Sequence, residues 1–407
     1  MTDPFVIIGA SHAGVSLAGI LRKKGWEPGI ILIEKQTGTP IQRPPLSKSA
    51  LKDDWPEERN YIQSAEWYEK QDLDLRTGVS VTNIDPLNRT VTTDSGDTIV
   101  WSRLALATGA SPRRLSCPGH DLAGVHYVRT LSDAYALRDD LKTASNVVVV
   151  GGGYIGLEAA ACMKDMGKSV TVIEMESRLL ARVATPETSA FFERLHESHG
   201  VTLVKGDGTA AIEGDGKVER VKLTSGASID ADVVVVGIGV IPDLDLLDDL
   251  GETNVNGVAV SRDCQTKHPE IYAIGDIAKL DWPFASMRVE SIHNAQYTAS
   301  LAAHHALNID RPPYETPWFW SDQHGGKLQS VGVPMDWDEV IWRDGEDAES
   351  GAAFSFRDGK LVSVESFNMV PAFMLGKKLF AGMSDVTKAE IEDKSSDLRA
   401  LMKRKPK

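Results

Sequence analysis

One pattern, occurring twice, constrains this chain more than any other feature. Residues 5–14 read Phe5-Val6-Ile7-Ile8-Gly9-Ala10-Ser11-His12-Ala13-Gly14, and residues 147–156 read Val147-Val148-Val149-Val150-Gly151-Gly152-Gly153-Tyr154-Ile155-Gly156. Each is a β-branched run, a glycine-rich turn and the start of a helix-like stretch. Each is followed by a second apolar run ending in an acid, Ile30-Ile31-Leu32-Ile33-Glu34 and Val170-Thr171-Val172-Ile173-Glu174. The physical jobs of these parts are known. Turn glycines let the backbone approach a pyrophosphate, the helix N-terminus stabilises its charge, and the acid accepts from ribose hydroxyls. Two copies predict an α/β chain with two Rossmann-like dinucleotide-binding domains. One dinucleotide is expected to be a tightly held flavin and the other an exchangeable nicotinamide.

The first turn departs from G-x-G-x-x-G at Ser11. Serine is small enough for close approach, and its hydroxyl can donate to phosphate. The second turn matches fully through Gly151, Gly153 and Gly156. Glu174 follows it, and an acid there accepts from the ribose of NADH and repels the 2′-phosphate of NADPH. NADH preference is therefore expected. Arg178 and Arg182 complicate this, because either can swing to a phosphate; the alternative is a solvated, charged loop.

Between and beyond the turns, strands are expected near 75–105, 233–236 and 271–274, with a helix near 293–307. Arg43-Pro44-Pro45-Leu46-Ser47-Lys48 is expected to be extended, since proline restricts the residue before it. From 310 onward the chain gains aromatics (Tyr314, Trp318, Phe319, Trp320) and alternating stretches at 327–333, 338–343, 352–356 and 361–367. These predict a separate C-terminal α+β domain.

Composition narrows the partners. With 407 residues, 42% hydrophobic, 25% charged and a net charge of −14, the chain lacks the basic footprint that nucleic acid demands. No apolar run reaches the ~18 residues of a membrane helix. The start, Met1-Thr2-Asp3-Pro4, lacks a basic region followed by an apolar core, so a cytoplasmic setting is expected. The basic stretch Lys403-Arg404-Lys405-Pro406-Lys407 is expected to be a solvated, frayed tail. Cys117, Cys162 and Cys264 are too scattered for a disulfide framework or a metal site, so no metal is expected. No cysteine lies between 35 and 60, where a disulfide reductase or peroxidase of similar build needs its reactive thiol. Cys162, among alanines, is expected in the core. His304-His305 is expected to be a solvated or core pair.

Lys48 and Glu158 are the charged residues expected nearest the flavin ring, where a lysine stabilises negative charge; the competing account of each is a surface ion pair. The segments Arg43–Lys48, Ala107-Thr108-Gly109, Tyr127-Val128-Arg129-Thr130, Gly151–Glu158, Gly275-Asp276, Glu290–Ala295 and Pro317–Gln323 carry a family resemblance over essentially the whole chain. The chain resembles the FAD-dependent ferredoxin reductases of bacterial oxygenase systems, of the putidaredoxin reductase and biphenyl dioxygenase reductase type.

That resemblance implies a glutathione-reductase-like fold: an FAD domain split over 1–112 and 241–309, an NADH domain at 113–240, and a C-terminal interface domain at 310–407. It implies that Gly9, Ala13 and Gly14 face the FAD pyrophosphate, with Glu34 and Lys35 at the adenosine ribose. Arg43 and Lys48 lie further along the cofactor. Val81 and Arg129 contact the adenosine half, Asp276 the ribityl chain and Ile292 the ring. Glu158 meets Lys48 near the nicotinamide, the two acting as the catalytic pair. Ser11, His12, Pro44, Ala107, Thr108, Gly109 and Gly275 complete the expected FAD set. Gly151, Gly153, Tyr154, Ile155, Gly156, Glu174, Gly237 and Gly239 form the NADH set. Trp320, with Trp318, lies at the flavin edge where an iron–sulfur partner docks; the alternative is a core position for both. The implied activity is electron transfer from NADH through FAD to a small [2Fe–2S] ferredoxin that feeds an oxygenase. Such ferredoxins are acidic, as is this chain, so docking needs a local basic patch or apolar contact. Lys327, Arg343, Lys377 and Lys378 are candidates. The alternatives are a rubredoxin reductase, a slow signalling flavoprotein like apoptosis-inducing factor, and an NADH oxidase. The missing cysteine disfavours the oxidase. The lack of a targeting segment or long insertion disfavours the signalling protein.

Overall fold

The computed structural model describes residues 3–52, 54–250 and 256–404. The chain divides into two compact units, one of residues 1–43, 56–111 and 241–315, the other of 44–55, 112–240 and 316–407.

The first unit is built on β1 (Phe5–Ile8), α1 (His12–Lys23) and β2 (Ile30–Glu34). β1 is central in a five-stranded sheet ordered Ile271–Ala273, Arg103–Leu106, β1, β2, Asp74–Thr77, with every pair parallel. All four β1 residues are buried, as a parallel strand covered on both faces requires. The period-2 alternation sorts them. Phe5 and Ile7 join α1, Leu32 and the helix Ile292–Ala306 in one core; Val6 and Ile8 join Ile33, Trp101 and Leu104 in another. On α1, Ala13, Gly14, Leu17, Ala18 and Leu21 recur at helical spacing and form its buried face.

The second unit repeats the motif with β3 (Asn146–Val150), α2 (Tyr154–Asp165) and β4 (Ser169–Glu174). Its parallel sheet runs Thr202–Lys205, β4, β3, Val233–Val236, Val125–His126. The helix α3 (Pro186–Ser198) is capped by Thr185, whose hydroxyl accepts from the Thr188 amide. A five-stranded antiparallel sheet completes the unit. It opens with β5 (Trp318–Gln323) at one edge and continues through Gly326–Gly332, β6 (Lys360–Phe367), Gly351–Arg357 and Glu339–Asp344. The helix α4 (Val370–Phe380) packs against it.

The expected strands and helices stand within a residue or two of their places. Two expectations fail. The segment expected to be extended after Arg43 instead coils into short 3₁₀ turns, Pro44–Ser47 and Ser49–Leu51. Proline's fixed φ suits a first helical turn as well as an extended chain. Of the tail 403–407 expected to be frayed, Lys403 instead ends the helix Leu398–Lys403, and Arg404 pairs with Asp385 at 2.8 Å and with Glu390. Lys405–Lys407 lie outside the described residues, as do Met1 and Thr2.

Candidate active site

The first glycine turn follows β1 at the carboxyl edge of its sheet, the side on which open parallel sheets bind ligands. Gly9 has φ of 103°, and a Cβ there would collide with the Ala107 carbonyl. A Cβ on Gly14 would collide with the Gly9 carbonyl, so these glycines set the helix against the strand. Ser11 caps α1 without a side-chain capping bond, which leaves its hydroxyl to a ligand. Glu34, at the end of β2, pins the turn: Oε2 accepts from the Ala10 amide at 2.9 Å and Oε1 from the Gln36 amide at 3.0 Å. A carboxylate offers about four lone-pair positions, so capacity for a ribose remains.

Several other first-unit candidates gather at the same edge. Ala107 donates to Ile8 O at 2.8 Å, Thr108 Oγ1 donates to Asp243 O at 2.7 Å, and Gly109 O accepts from the Asp243 amide. Lys35 lies 3.5 Å from Asp243, which turns it toward this loop. A Cβ on Gly275 would stand 3.0 Å from that of Ala13. Asp276 accepts through its backbone carbonyl from Arg288, and Ile292 opens the helix after the Ser291 cap. Val81 begins the strand Val81–Asp85. Arg43 Nη1 donates to Gln36 at 3.3 Å. His12 is held neutral, its pKa lowered to about 4 by burial and then by Arg43; its Nε2 is buried without a protein partner among the described residues.

The second turn reproduces this geometry. Gly151 has φ of 110°, and a Cβ there would lie 2.5 Å from Gly237 O; one on Gly156 would collide with Gly151 O. Glu174 Oε2 accepts from the Gly152 amide at 2.7 Å and Oε1 from the Glu176 amide at 2.8 Å. A Cβ on Gly153 would meet nothing within 4 Å. The protein itself does not need glycine there, so its use points to an approaching ligand. Ile155 is 53% exposed beside it. Gly239, with φ of 100°, has Arg182 Nη2 3.4 Å from its would-be Cβ. Arg178, weighed from sequence as a phosphate ligand, donates instead to Ala184 O, Ser189 Oγ and Ala181 O and so braces the loop before α3. Arg129 follows the edge strand, its amide donating to Asp133.

Within the second unit the chain brings together the pair expected from sequence. Lys48 Nζ lies 3.0 Å from Glu158 Oε1 and 3.7 Å from Asp322. The pair is no surface ion pair, since the two side chains are only 18% and 10% exposed. Burial pushes the Glu158 carboxyl up, while Lys48 and a hydrogen bond from Ser321 pull it back. Tyr154, Glu158 and Cys162 share one face of α2 at i, i+4, i+8. Phe319, Ser321 and Gln323 share one face of β5. Tyr154 meets Phe319 with ring centroids 4.9 Å apart, and Ser321 Oγ donates to Glu158 at 2.6 Å. Pro44, Lys48, Glu158, Cys162 and Asp322 line a cavity of about 340 Å³. Cys162 donates to Lys48 O at 3.3 Å, and burial pushes its thiol up to about 11, which makes it a poor nucleophile. Sequence reasoning quoted Ser321, Asp322 and Gln323 within a motif but gave them no role.

The aromatic and basic candidates separate. Trp318 and Trp320 lie 5.7 Å apart, and Trp318 also packs on Phe373 under Lys377. Arg343 is no docking residue: it is buried and donates to Ile391 O, Asp393 O and Ser396 O. Lys378 donates to Met402 O, and Lys327 lies 3.6 Å from Asp322. Of the two histidines expected as a pair, His305 bonds Tyr272 and His304 bonds Asp310 O.

Residues 3–299 match the pyridine nucleotide-disulphide oxidoreductase family, and residues 318–402 match the reductase C-terminal family. The chain belongs to the pyridine nucleotide-disulphide oxidoreductase family. It is 37% identical over 401 residues to the 5,5′-dehydrodivanillate O-demethylase ferredoxin reductase subunit of a Sphingobium species, covering 97% of each chain. It is 36% identical over 367 residues to a rubredoxin-NAD(+) reductase of Pseudomonas putida, covering 89% of this chain and 95% of that one. Among solved structures, the covalent putidaredoxin reductase–putidaredoxin complex matches with a TM-score of 0.94 and 33% identity over 98% of both chains. The protein is an oxidoreductase whose cofactors are FAD and NAD(H), as the sequence implied. Its residues fit them: two glycine cradles that a Cβ would fill or block, a serine whose hydroxyl makes no capping bond, and a buried imidazole nitrogen without a protein partner among the described residues. No described helix is long and apolar enough to cross a membrane.

Proposed function

We propose that this cytoplasmic reductase passes electrons from NADH through FAD to a small [2Fe–2S] ferredoxin that feeds an oxygenase. The observation that carries this reading is a family fold with no thiol pair. All three cysteines are free, and the one beside Lys48 and Glu158 is a buried donor to a carbonyl. Nothing in the chain can store two electrons as a dithiol, so an external acceptor takes them. Relatives named as ferredoxin reductase components of anthranilate and biphenyl dioxygenase systems support that choice of acceptor.

FAD, when bound, accepts two electrons as hydride from NADH and can release them singly. The residues supply position and charge. On this reading the 1–112 and 241–309 segments hold FAD, with Gly9, Ser11, His12 and Gly14 at its pyrophosphate and Glu34 at a ribose. The 113–240 segment holds NADH through Gly151, Gly153, Gly156 and Glu174. Lys48 would face the reacting ring, and Glu158, 3.0 Å from its Nζ, aims it. Trp320 lies on the docking face of the 310–407 domain.

The rubredoxin-NAD(+) reductase relative favours a second reading, rubredoxin as acceptor. Steady-state reduction of a purified [2Fe–2S] ferredoxin and a rubredoxin decides between them. A higher kcat/KM for the ferredoxin is expected; the reverse order would move the assignment to the rubredoxin branch.

A further inference from the structure

Behind Glu158 runs an unbroken line of buried polar groups. Ser321 Oγ lies 2.6 Å from Glu158 Oε1, Gln323 Nε2 3.0 Å from Ser321 Oγ, His196 Nε2 2.7 Å from Gln323 Oε1, and His324 Nε2 3.1 Å from His196 Nδ1. His196, Ser321 and Gln323 are at most 2% exposed. Burying polar atoms is costly unless they are bonded, and from Glu158 to His196 each link uses the next.

The carboxylate fixes the direction of every bond. An ionised Glu158 can only accept, so the single Ser321 hydroxyl proton points to it. Ser321 Oγ must then accept, which orients the Gln323 amide with Nε2 toward the serine and Oε1 toward α3. His196 Nε2 must therefore carry the proton, its Nδ1 accepts, and His324 donates. Four donors point one way and end on one carboxylate oxygen, the oxygen that also meets Lys48.

We propose that Ser321, Gln323 and His196 are positioning residues that hold Glu158 ionised and aimed at Lys48. The proposal rests on the reading that Lys48 and Glu158 serve the electron-transfer site. The charged groups facing Glu158 are Lys48 from the 3₁₀ segment and Asp322 from β5, with Lys52 and Asp165 along the same cavity. Those facing His196 are His199 and His324, with Glu349 3.7 Å from His199. Burial holds both His196 and His324 neutral at pH 7, at about 4 and about 3, which keeps the donor direction intact.

The test is an infrared pH titration of the oxidised holoenzyme, with the Glu158 carboxyl band assigned by its loss in Glu158→Gln. Ser321→Ala should raise the Glu158 midpoint by about one pH unit, as loss of one charge-assisted hydrogen bond implies. Gln323→Met should raise it less, and Ser321→Thr should restore it. Gln323→Met decides the matter if Ser321→Ala does not fold. An unmoved midpoint in the folded variants would overturn the chain's role. Stopped-flow reduction by NADH separates this from the underlying reading. If Glu158→Gln reduces at the wild-type rate, the reading of the pair is wrong. If it slows while the Ser321→Ala midpoint stays put, only the chain proposal falls.

Discussion

Gly9 and Gly151 hold the same backbone conformation, with φ of 103° and 110°, and both turns are pinned by the acid that ends the next strand. Their surroundings differ. At the first turn Ala13 is 6% exposed, Glu34 is 8% exposed, and Gly275 stands against Ala13. At the second, Ile155, the counterpart of Ala13, is 53% exposed, and Glu174, the counterpart of Glu34, is half-buried. A closed cradle suits a ligand that stays and an open one suits a ligand that comes and goes. The duplicated motif supplies the phosphate chemistry twice, and the burial around each copy differs. This difference supports the proposed placing of FAD at the first turn and NADH at the second.

The largest expected effect separates the copies. Gly9→Ala puts a Cβ into the Ala107 carbonyl at positive φ, a cost of more than about 2 kcal/mol. It should abolish FAD retention through gel filtration, read as flavin absorbance per protein. Gly151→Ala should keep the flavin and raise the Kd for NADH. Loss of flavin in both variants would break the distinction. Next, Gly153→Ala adds a methyl where the protein offers no contact. Its Tm should stay within about a degree while NADH affinity falls tenfold or more; unchanged affinity would remove the pyrophosphate from that position.

A smaller effect is expected at Glu174. Glu174→Ala leaves the Gly152 amide unpaired and removes the charge that repels a 2′-phosphate. The NADH to NADPH ratio of kcat/KM should fall about tenfold, and an unchanged ratio would make the acid purely a turn brace.

The smallest effect tests a support beside the second copy. The α3 cap beyond it rests on Glu365 of β6, whose Oε2 accepts from the Thr185 amide at 3.2 Å. Burial pushes the Glu365 carboxyl up from 4.5 to about 7. A raised carboxyl binds its proton more tightly folded than unfolded, so stability falls as pH rises from about 4.5 through 7. Glu365→Gln should therefore raise Tm by a few degrees at pH 8 and lose that advantage toward pH 4.5. A gain independent of pH would mean that Glu365 is not the titrating group.

Much of this was legible in the sequence, because both glycine turns and both terminal acids are local patterns with fixed spacing. The Lys48–Glu158 pair was legible through resemblance. Other features depended on distant packing. Arg343 looks like surface charge until the carbonyls of Ile391, Asp393 and Ser396 fold over it. Two prolines after Arg43 allow an extended chain or a 3₁₀ turn, and the neighbours decide. Ser321 and Gln323 alternate with Trp320 and Asp322 in a strand-like run. Only the packing of β5 on α2 and α3 shows which face meets Glu158 and His196.

The most direct test is an anaerobic titration of the purified protein with NADH, followed by flavin absorbance. One closed site, one open site and no dithiol predict complete bleaching at one NADH per flavin. An endpoint near two would reveal a second two-electron store in the chain and contradict the account.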